Sequence, residues 1–372
     1  MSRLRIPRRT LLASAAALAV PAAGAVAEDD ALAQAKAYIA KATQPGAPWT
    51  GPRTGPKAQP HKLVIYVSQD QRNGGALGVS QGAQEGAKAI GWNYRIIDGQ
   101  GTVAQHTSAL NEAIALKPDG IILGTIDAKE QAPVIKHAVN LGIKVVGWHS
   151  AGEPGPVQDP PVITNITTDP TEVGKLAATY AVVDSNGTAE AVVIGDNLYA
   201  ISTVKTDAAT NTIKGFKGCK VLAFEDTPIA DVAARTPQLT TTLLERFGKK
   251  WTYTIAVNDL WFDFMAPSLQ DAGINPATGY PREISAGDGS VSAFQRIRER
   301  RYQIGTVAEP LLLHGWMCID ELNRAFAGEK PSSFVPPPHL FVHANINRDG
   351  GEHNIYDPEN GYQGIYRKIW GT

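Results

Sequence analysis

Short β-rich runs alternate with segments of helical periodicity between residues 61 and 309, and this alternation constrains the fold more than any other feature. The runs are KLVIYVSQD, YRIIDGQ, GIILGTID and KVVGWHS, then, after the Pro/Gly-rich stretch AGEPGPVQDPP, AVVIGDN, KVLAFED, YTIAVND, REISAGDG and YQIGTVAE. Between them lie segments such as GVSQGAQEGAKAIG, QHTSALNEAIAL and EQAPVIKHAVNLG, with apolar residues at helical spacing. Strand–helix–strand alternation builds parallel sheets with crossover helices. The break at 151–164 separates two halves of similar pattern. The expectation is an α/β chain with two doubly wound parallel-sheet lobes and a cleft between them.

Nearly every run ends in polar residues: Ser68-Gln69-Asp70, Asp98, Asp127, His149-Ser150, Asp196-Asn197, Glu225-Asp226, Asn258-Asp259, Asp288 and Glu309. Ligands of open parallel sheets bind beyond the carboxyl ends of the strands. Strand-to-helix loops also need helix caps, and Asp, Asn and Ser supply them. For a single residue, capping is the simpler account. For two sheets lined this way on either side of a break, a shared binding cleft is the better one.

The chain has 372 residues and a formal net charge of -1, with 43% hydrophobic and 19% charged residues. That is the composition of a soluble globular protein, and it lacks the basic excess that tracking nucleic-acid phosphates requires. At the start, Arg3, Arg5, Arg8 and Arg9 precede an Ala-rich apolar run that closes on Ala25-Val26-Ala27. This reads as an export signal, residues 1–27, cleaved near Ala27. The pair Arg8-Arg9 leaves both the Sec and the twin-arginine route open. Residues 28–60 read as a short helix and a Pro/Gly-rich connector.

Taken together, KLVIYVSQ…QGAQEGAKAIGW, ALKPDGIILGTIDAKEQAPVIKHAVNLGIKVVGWHS, TIAVND, ISAGDGS and IGTVAEP resemble the periplasmic sugar-binding proteins of ABC transporters. The resemblance is to the ribose-binding-like branch, the type I periplasmic binding proteins related to the LacI repressor core, and it covers roughly residues 61–347. It implies two lobes joined by a three-crossing hinge at 151–164, 305–309 and 337–339, with 61–150 and 310–336 in lobe 1 and 165–304 and 340–372 in lobe 2.

The resemblance also implies ligand contacts. Asn73 supplies an amide from the first loop, where relatives carry an Asn and stacking aromatics; RNGGAL offers no aromatic. Where relatives carry an Asp-Arg or Asp-Ser pair, this chain has Trp148-His149-Ser150, which moves the polar contact to His149 and makes Trp148 a candidate stacking face. Lys205 in AISTVKTDA, Asn258 in the ND position, Asp288 in AGDGS and Glu309 in TVAEP complete the polar set, and Trp261 is the second aromatic candidate. Carboxylates and amides suit vicinal hydroxyls, and aromatic faces suit the C–H surface of a sugar.

The implied function is capture of a monosaccharide or sugar alcohol in the periplasm by a monomer and its delivery to an ABC membrane permease. No cofactor, metal or nucleic acid enters that reading, and none of its residues is catalytic. The three crossings place Cys318 in the first lobe and Cys219 in the second, which predicts two mostly buried thiols rather than a bridge across a moving hinge. Two alternatives stand beside it. A periplasmic sensor subunit would share the fold and cleft. A carbohydrate-active enzyme would need a carboxylate pair at a defined separation. A G-x-G-x-x-G dinucleotide fingerprint and a P-loop are missing from the sequence, and His339 and His343 lie in a strand-like run where four-residue spacing does not align metal ligands.

Overall fold

The computed structural model describes residues 23–46 and 48–372. In the first sheet, β1 (Leu63–Ser68), β2 (Asn93–Asp98), β3 (Gly120–Gly124), β4 (Lys144–Trp148), β5 (Gly155–Val157) and β6 (Val162–Ile166) lie in the order β2-β1-β3-β4-β6-β5. In the second, β7 (Glu190–Gly195), β8 (Lys220–Asp226), β9 (Tyr253–Ala256), β10 (Arg282–Ser285), β11 (Gln303–Ala308) and β12 (His339–Val342) lie in the order β12-β11-β10-β9-β7-β8. Pairing is parallel except at β5–β6 and β11–β12. The helices are α1 (Ala23–Ala42), α2 (Gly74–Ile90), α3 (Val103–Ala115), α4 (Ala132–Asn140), α5 (Pro170–Asp184), α6 (Ala200–Lys214), α7 (Val232–Phe247), α8 (Phe262–Asp271), α9 (Val291–Glu299), α10 (Leu311–Phe326) and α11 (Tyr362–Trp370).

Alternation of side chains across each strand accounts for the layering. In β1, Val64 and Tyr66 join the core against α2 and α10, while Ile65 and Val67 join the core against α3 and α4. Strands buried on both faces need continuous apolar runs, which is why these strands were legible in the sequence. The second sheet is layered likewise, with Tyr253 and Ile255 facing α5 and Val192, Ile194 and Ala256 facing α7 and α8. In the first lobe, α2 lies almost against α10. A Cβ at Gly82 would stand 2.3 Å from the Leu312 carbonyl oxygen, so the helices could not approach with any other residue there.

Three boundaries differ from the sequence expectation. Strands β5 and β6, within residues 155–166, belong to the first sheet, where the expectation puts 155–164 in the first hinge segment and 165–166 in the second lobe, so the chain leaves the first lobe at 167–169 instead. Strand β11, expected to begin the second hinge segment at 305, pairs with β10 and β12 as part of the second sheet, and the crossing follows at 309–310. The C-terminal helix α11, assigned with the second lobe, packs into the first: Trp370 stacks on Trp316 of α10 with ring centroids 5.5 Å apart, and its indole N–H donates to Asp320 at 2.8 Å.

The N-terminal segment bridges the lobes as well. Helix α1 packs on α5 through Ile39, whereas Trp49 enters the first-lobe core. Cys318 and Cys219 are buried in the cores of the first and second lobes respectively. The export-signal reading falls on residues outside those described, apart from the backbone of 23–27 in α1. No helix among the described residues is long and apolar enough to cross a membrane.

Candidate functional site

The carboxyl ends of both sheets face one another, and the two lobes touch across the gap. The Asp127 carboxylate, from the loop after β3, accepts a hydrogen bond at 3.1 Å from the backbone N–H of Ala200, the first residue of α6. A negative charge at a helix N-terminus is favourable on both hydrogen-bonding and dipole grounds, and this one belongs to the opposite lobe. Gly75 at the start of α2 lies against Asp288; a Cβ there would stand 2.2 Å from a carboxylate oxygen.

Most of the acidic strand ends are caps. Asp98 accepts from the N–H groups of Gln71 and Gln100, Asp196 from those of Leu198 and Ile229, and Asp226 from that of Asn197. Asp70 is held by Arg72. Asp288 and Glu309 face charged side chains instead. Glu309, fully buried at the second crossing, takes the Lys205 ammonium at 2.8 Å on one oxygen. On the other it meets His149 Nε2 at 2.9 Å and the Thr168 N–H at 3.4 Å. It thus ties β4 of the first lobe, the 167–169 crossing and α6 of the second lobe to one carboxylate. Lys205 is placed by backbone contact: α5 and α6 approach so closely that a Cβ on Gly174 would stand 2.2 Å from the Lys205 carbonyl oxygen.

Burial pushes the Glu309 carboxyl up, but the adjacent His149 and Lys205 outweigh it and hold the group well below the usual carboxylate range. Asp288 lies 3.8 Å from the Lys205 ammonium. There burial wins, and the Asp288 carboxyl is pushed up to about 6 although Lys205 and His149 pull it down. One oxygen or nitrogen each of His149, Asp288 and Glu309 lie within 4.8 Å of one another, a spacing a metal ion could use. The Lys205 ammonium already offers these carboxylates a positive charge, covalently fixed to α6.

Of the sequence-predicted residues, Asn73, His149, Lys205, Asn258 and Asp288 line one pocket, and Glu309 lies behind Lys205. The two tryptophans do not line it, a correction to the stacking role expected of them. Trp148 is fully buried beneath His149, their rings stacked 3.9 Å apart, and its indole N–H donates to His314 Nδ1 at 3.0 Å. Burial holds the His314 imidazole down to about 3, so it is neutral and can accept that bond. Trp261 is fully buried in the second-lobe core.

Sequence reading missed Thr125, Tyr199, Ile201, Ser202, Ile229 and Val257, which complete the pocket wall. Thr125 adjoins the GTID strand end, and Tyr199 to Ser202 immediately precede the Lys205 turn of α6, so proximity to the predicted residues was the available signal. The Thr125 hydroxyl is buried with no partner among the described residues, an arrangement suited to a ligand hydroxyl.

Asn258 and Asp259 divide the work. Asn258 lines the pocket, whereas Asp259 turns inward. It accepts from Ser285 Oγ at 2.5 Å, Gln303 Nε2 at 2.7 Å, and the N–H groups of Gly289 and Ser290 at 2.9 and 3.0 Å. Those last two bonds fix the loop that presents Asp288. Asp259→Ala strands the Gly289 and Ser290 N–H groups, while Ser285 Oγ keeps Thr306 Oγ1 and Gln303 Nε2 keeps the Gly305 carbonyl, and a loss of about 2–3 kcal/mol in urea unfolding is expected. Amide exchange at Gly289 and Ser290 is expected to rise with it. An unchanged exchange rate there would show that Asp259 does not hold the loop.

Two doubly wound lobes, a cleft at their carboxyl ends and a polar constellation drawn from both define a two-lobed ligand-binding protein. The chain matches the model of the periplasmic binding protein domain over residues 64–330, and it belongs to that family. Similar solved structures include a galactofuranose binding protein (18% identity, TM-score 0.67, 80% of this chain and 99% of that one covered). Another is the 5-methylthioribose transporter solute binding protein from Thermotoga lettingae TMO in complex with 5-methylthioribose (19% identity, TM-score 0.67, 85% and 94% covered). A third is the periplasmic binding protein component of the arabinose ABC transporter from Shewanella sp. ANA-3 (15% identity, TM-score 0.66, 82% and 98% covered). At these identities the likeness is one of fold. No curated protein matches the sequence.

Proposed function

We propose that the protein is the periplasmic solute-binding component of an ABC importer, which captures a monosaccharide or sugar alcohol between its lobes and presents the closed form to a membrane permease. The observation that carries this reading is the convergence of Asn73 and His149 from one lobe with Lys205, Asn258 and Asp288 from the other on a single pocket. Amide, carboxylate and ammonium groups together supply the donors and acceptors that adjacent hydroxyls need. A ligand contacting both lobes favours closure by the difference between its affinities for the closed and open forms. The galactofuranose, 5-methylthioribose and arabinose proteins of this fold extend the reading to sugars by analogy. Binding is favoured over hydrolysis because both Glu309 oxygens are committed within the protein, leaving Asp288 without a second free carboxylate beside it.

Thermal unfolding of residues 28–372 against pentoses, hexoses, deoxysugars and sugar alcohols tests the assignment. A ligand that binds only the folded state raises the midpoint with its saturation, so one class is expected to stand out. Asp288→Ala is expected to weaken the responding ligand roughly tenfold to a hundredfold, the usual effect of losing a charged hydrogen-bond partner. A variant that binds as tightly as the parent would remove Asp288 from the site.

A further inference from the structure

The interlobe cleft continues beyond the polar pocket, and its character changes. Asn73 and Ile229 belong to the walls of both regions, so the two are contiguous. From there outward the second lobe contributes Ala230, Val232, Ala233, Leu260 and Phe264, an apolar wall made by the start of α7 and the approach to α8. The first lobe contributes Asp70 and Arg72. Their charges are spent on each other, since the Arg72 guanidinium donates three hydrogen bonds to the Asp70 carboxylate at 2.6–3.1 Å. No uncommitted charged group lines this outer region. Of the hydroxyl-gripping groups only Asn73 borders this region; the others lie at the inner end.

A free pentose or hexose carries hydroxyls around its whole rim and would strand some of them against the apolar wall. Hydroxyls left without partners on burial cost more than the contact returns. We infer that the ligand is a sugar or polyol bearing an apolar substituent: a polyhydroxylated head held by Lys205, Asp288, Asn258, Asn73 and His149, and a short alkyl, alkylthio or aryl group lying against Ile229, Val232, Ala233, Leu260 and Phe264. The inference rests on the reading of the inner pocket as a carbohydrate site and narrows it to an amphiphilic class. Because both lobes line the outer region, the substituent itself favours the closed form and is not a passive passenger.

Titration calorimetry on the full mature chain tests this with paired probes. Ribose, xylose, arabinose, galactose and glucose are each compared with derivatives bearing a three-carbon alkyl chain at O1 or a propylthio group at the terminal carbon. Burial of one methylene is worth about fourfold in affinity. At least one derivative is therefore expected to bind tenfold or more tightly than its parent sugar.

Ala233→Phe, which fills the outer region, and Ala233→Glu, which places a carboxylate there, are each expected to erase that gain; circular dichroism and the ligand-free unfolding midpoint verify that they fold. If a free sugar binds and no derivative betters it, or if the gain survives both substitutions, the apolar subsite is refuted while the carbohydrate reading stands. If neither the parents nor the derivatives bind, the carbohydrate reading itself falls, and the subsite with it.

Discussion

Glu309→Ala is expected to cost the folded protein about 3–5 kcal/mol, the loss typical of removing one partner from a buried ion pair. The cost lies less in the lost attraction than in what remains, an ammonium at Lys205 that is buried with Asp288 alone at 3.8 Å. A double variant, Glu309→Ala with Lys205→Met, removes the orphaned charge and is expected to recover a large part of the loss. Urea unfolding of the wild type, both single variants and the double variant gives the coupling directly. The sign of the pH dependence follows from the depressed Glu309 carboxyl. A carboxylate whose folded pKa lies below its unfolded value stabilises fully above the unfolded value, near 4.5, and loses that contribution as pH falls through the folded one. The advantage of the wild type over Glu309→Ala should therefore hold at neutral pH and shrink in acid. A double variant no more stable than the single, or a single-variant loss below about 1 kcal/mol, would contradict the account of Glu309 and Lys205 as a buried ion pair whose partners depend on each other.

The central strands of both sheets were legible because parallel strands buried on two faces must be written as apolar runs; the exposed edge strands β2 and β8 were legible from their place in the strand–helix alternation. Strands β5 and β6 escaped for the opposite reason: β5 is three residues inside a Pro/Gly-rich stretch, and it pairs antiparallel at the edge of its sheet. At the strand ends the ambiguity is chemical. Asp caps a loop with the same carboxylate that would grip a ligand, so nothing in the sequence separates Asp98, Asp196 and Asp226 from Asp288. Asn258 and Asp259 are adjacent and alike in type, yet one faces the pocket and the other the inside of its lobe.

The tryptophans, in contrast, could have been placed. Trp148 is two residues from Val146 on the core face of β4, and Trp261 stands four and eight residues before Met265 and Leu269, the spacing of a buried helical stripe. The apolar pattern Tyr362, Tyr366, Ile369 and Trp370 announces an amphipathic helix, but which lobe it covers is decided by α10, more than thirty residues earlier in the chain.

Glu283→Met is expected to stabilise the protein, and to do so more as pH rises. Glu283 lies in the middle of the second sheet, on β10, fully buried, and neither carboxyl oxygen has a hydrogen-bond partner among the described residues. Burial pushes its carboxyl up to about 8; Arg296 pulls against this and Asp263 adds to it. The folded pKa lies above the unfolded value of 4.5, so between those values the folded state binds more protons than the unfolded one. Stability at this site is then greatest in acid and declines as pH climbs through the window, the reverse of Glu309.

At about 1.4 kcal/mol per pH unit, the difference between Glu283→Met and wild type is expected to grow by about 5 kcal/mol from pH 4.5 to pH 9. Urea unfolding at pH 5, 7 and 9 measures it, and because the other titrating groups are common to both proteins, the difference isolates this one. A gap that stays flat with pH would mean that Glu283 is already ionised and paired in the folded protein. The site matters beyond stability because β10 leads directly into Ala286–Ser290, the loop that carries Asp288. Ionising a carboxyl at the base of that strand strains the support of the ligand-facing group at its tip, so wild-type affinity is expected to weaken above pH 8 more than that of Glu283→Met.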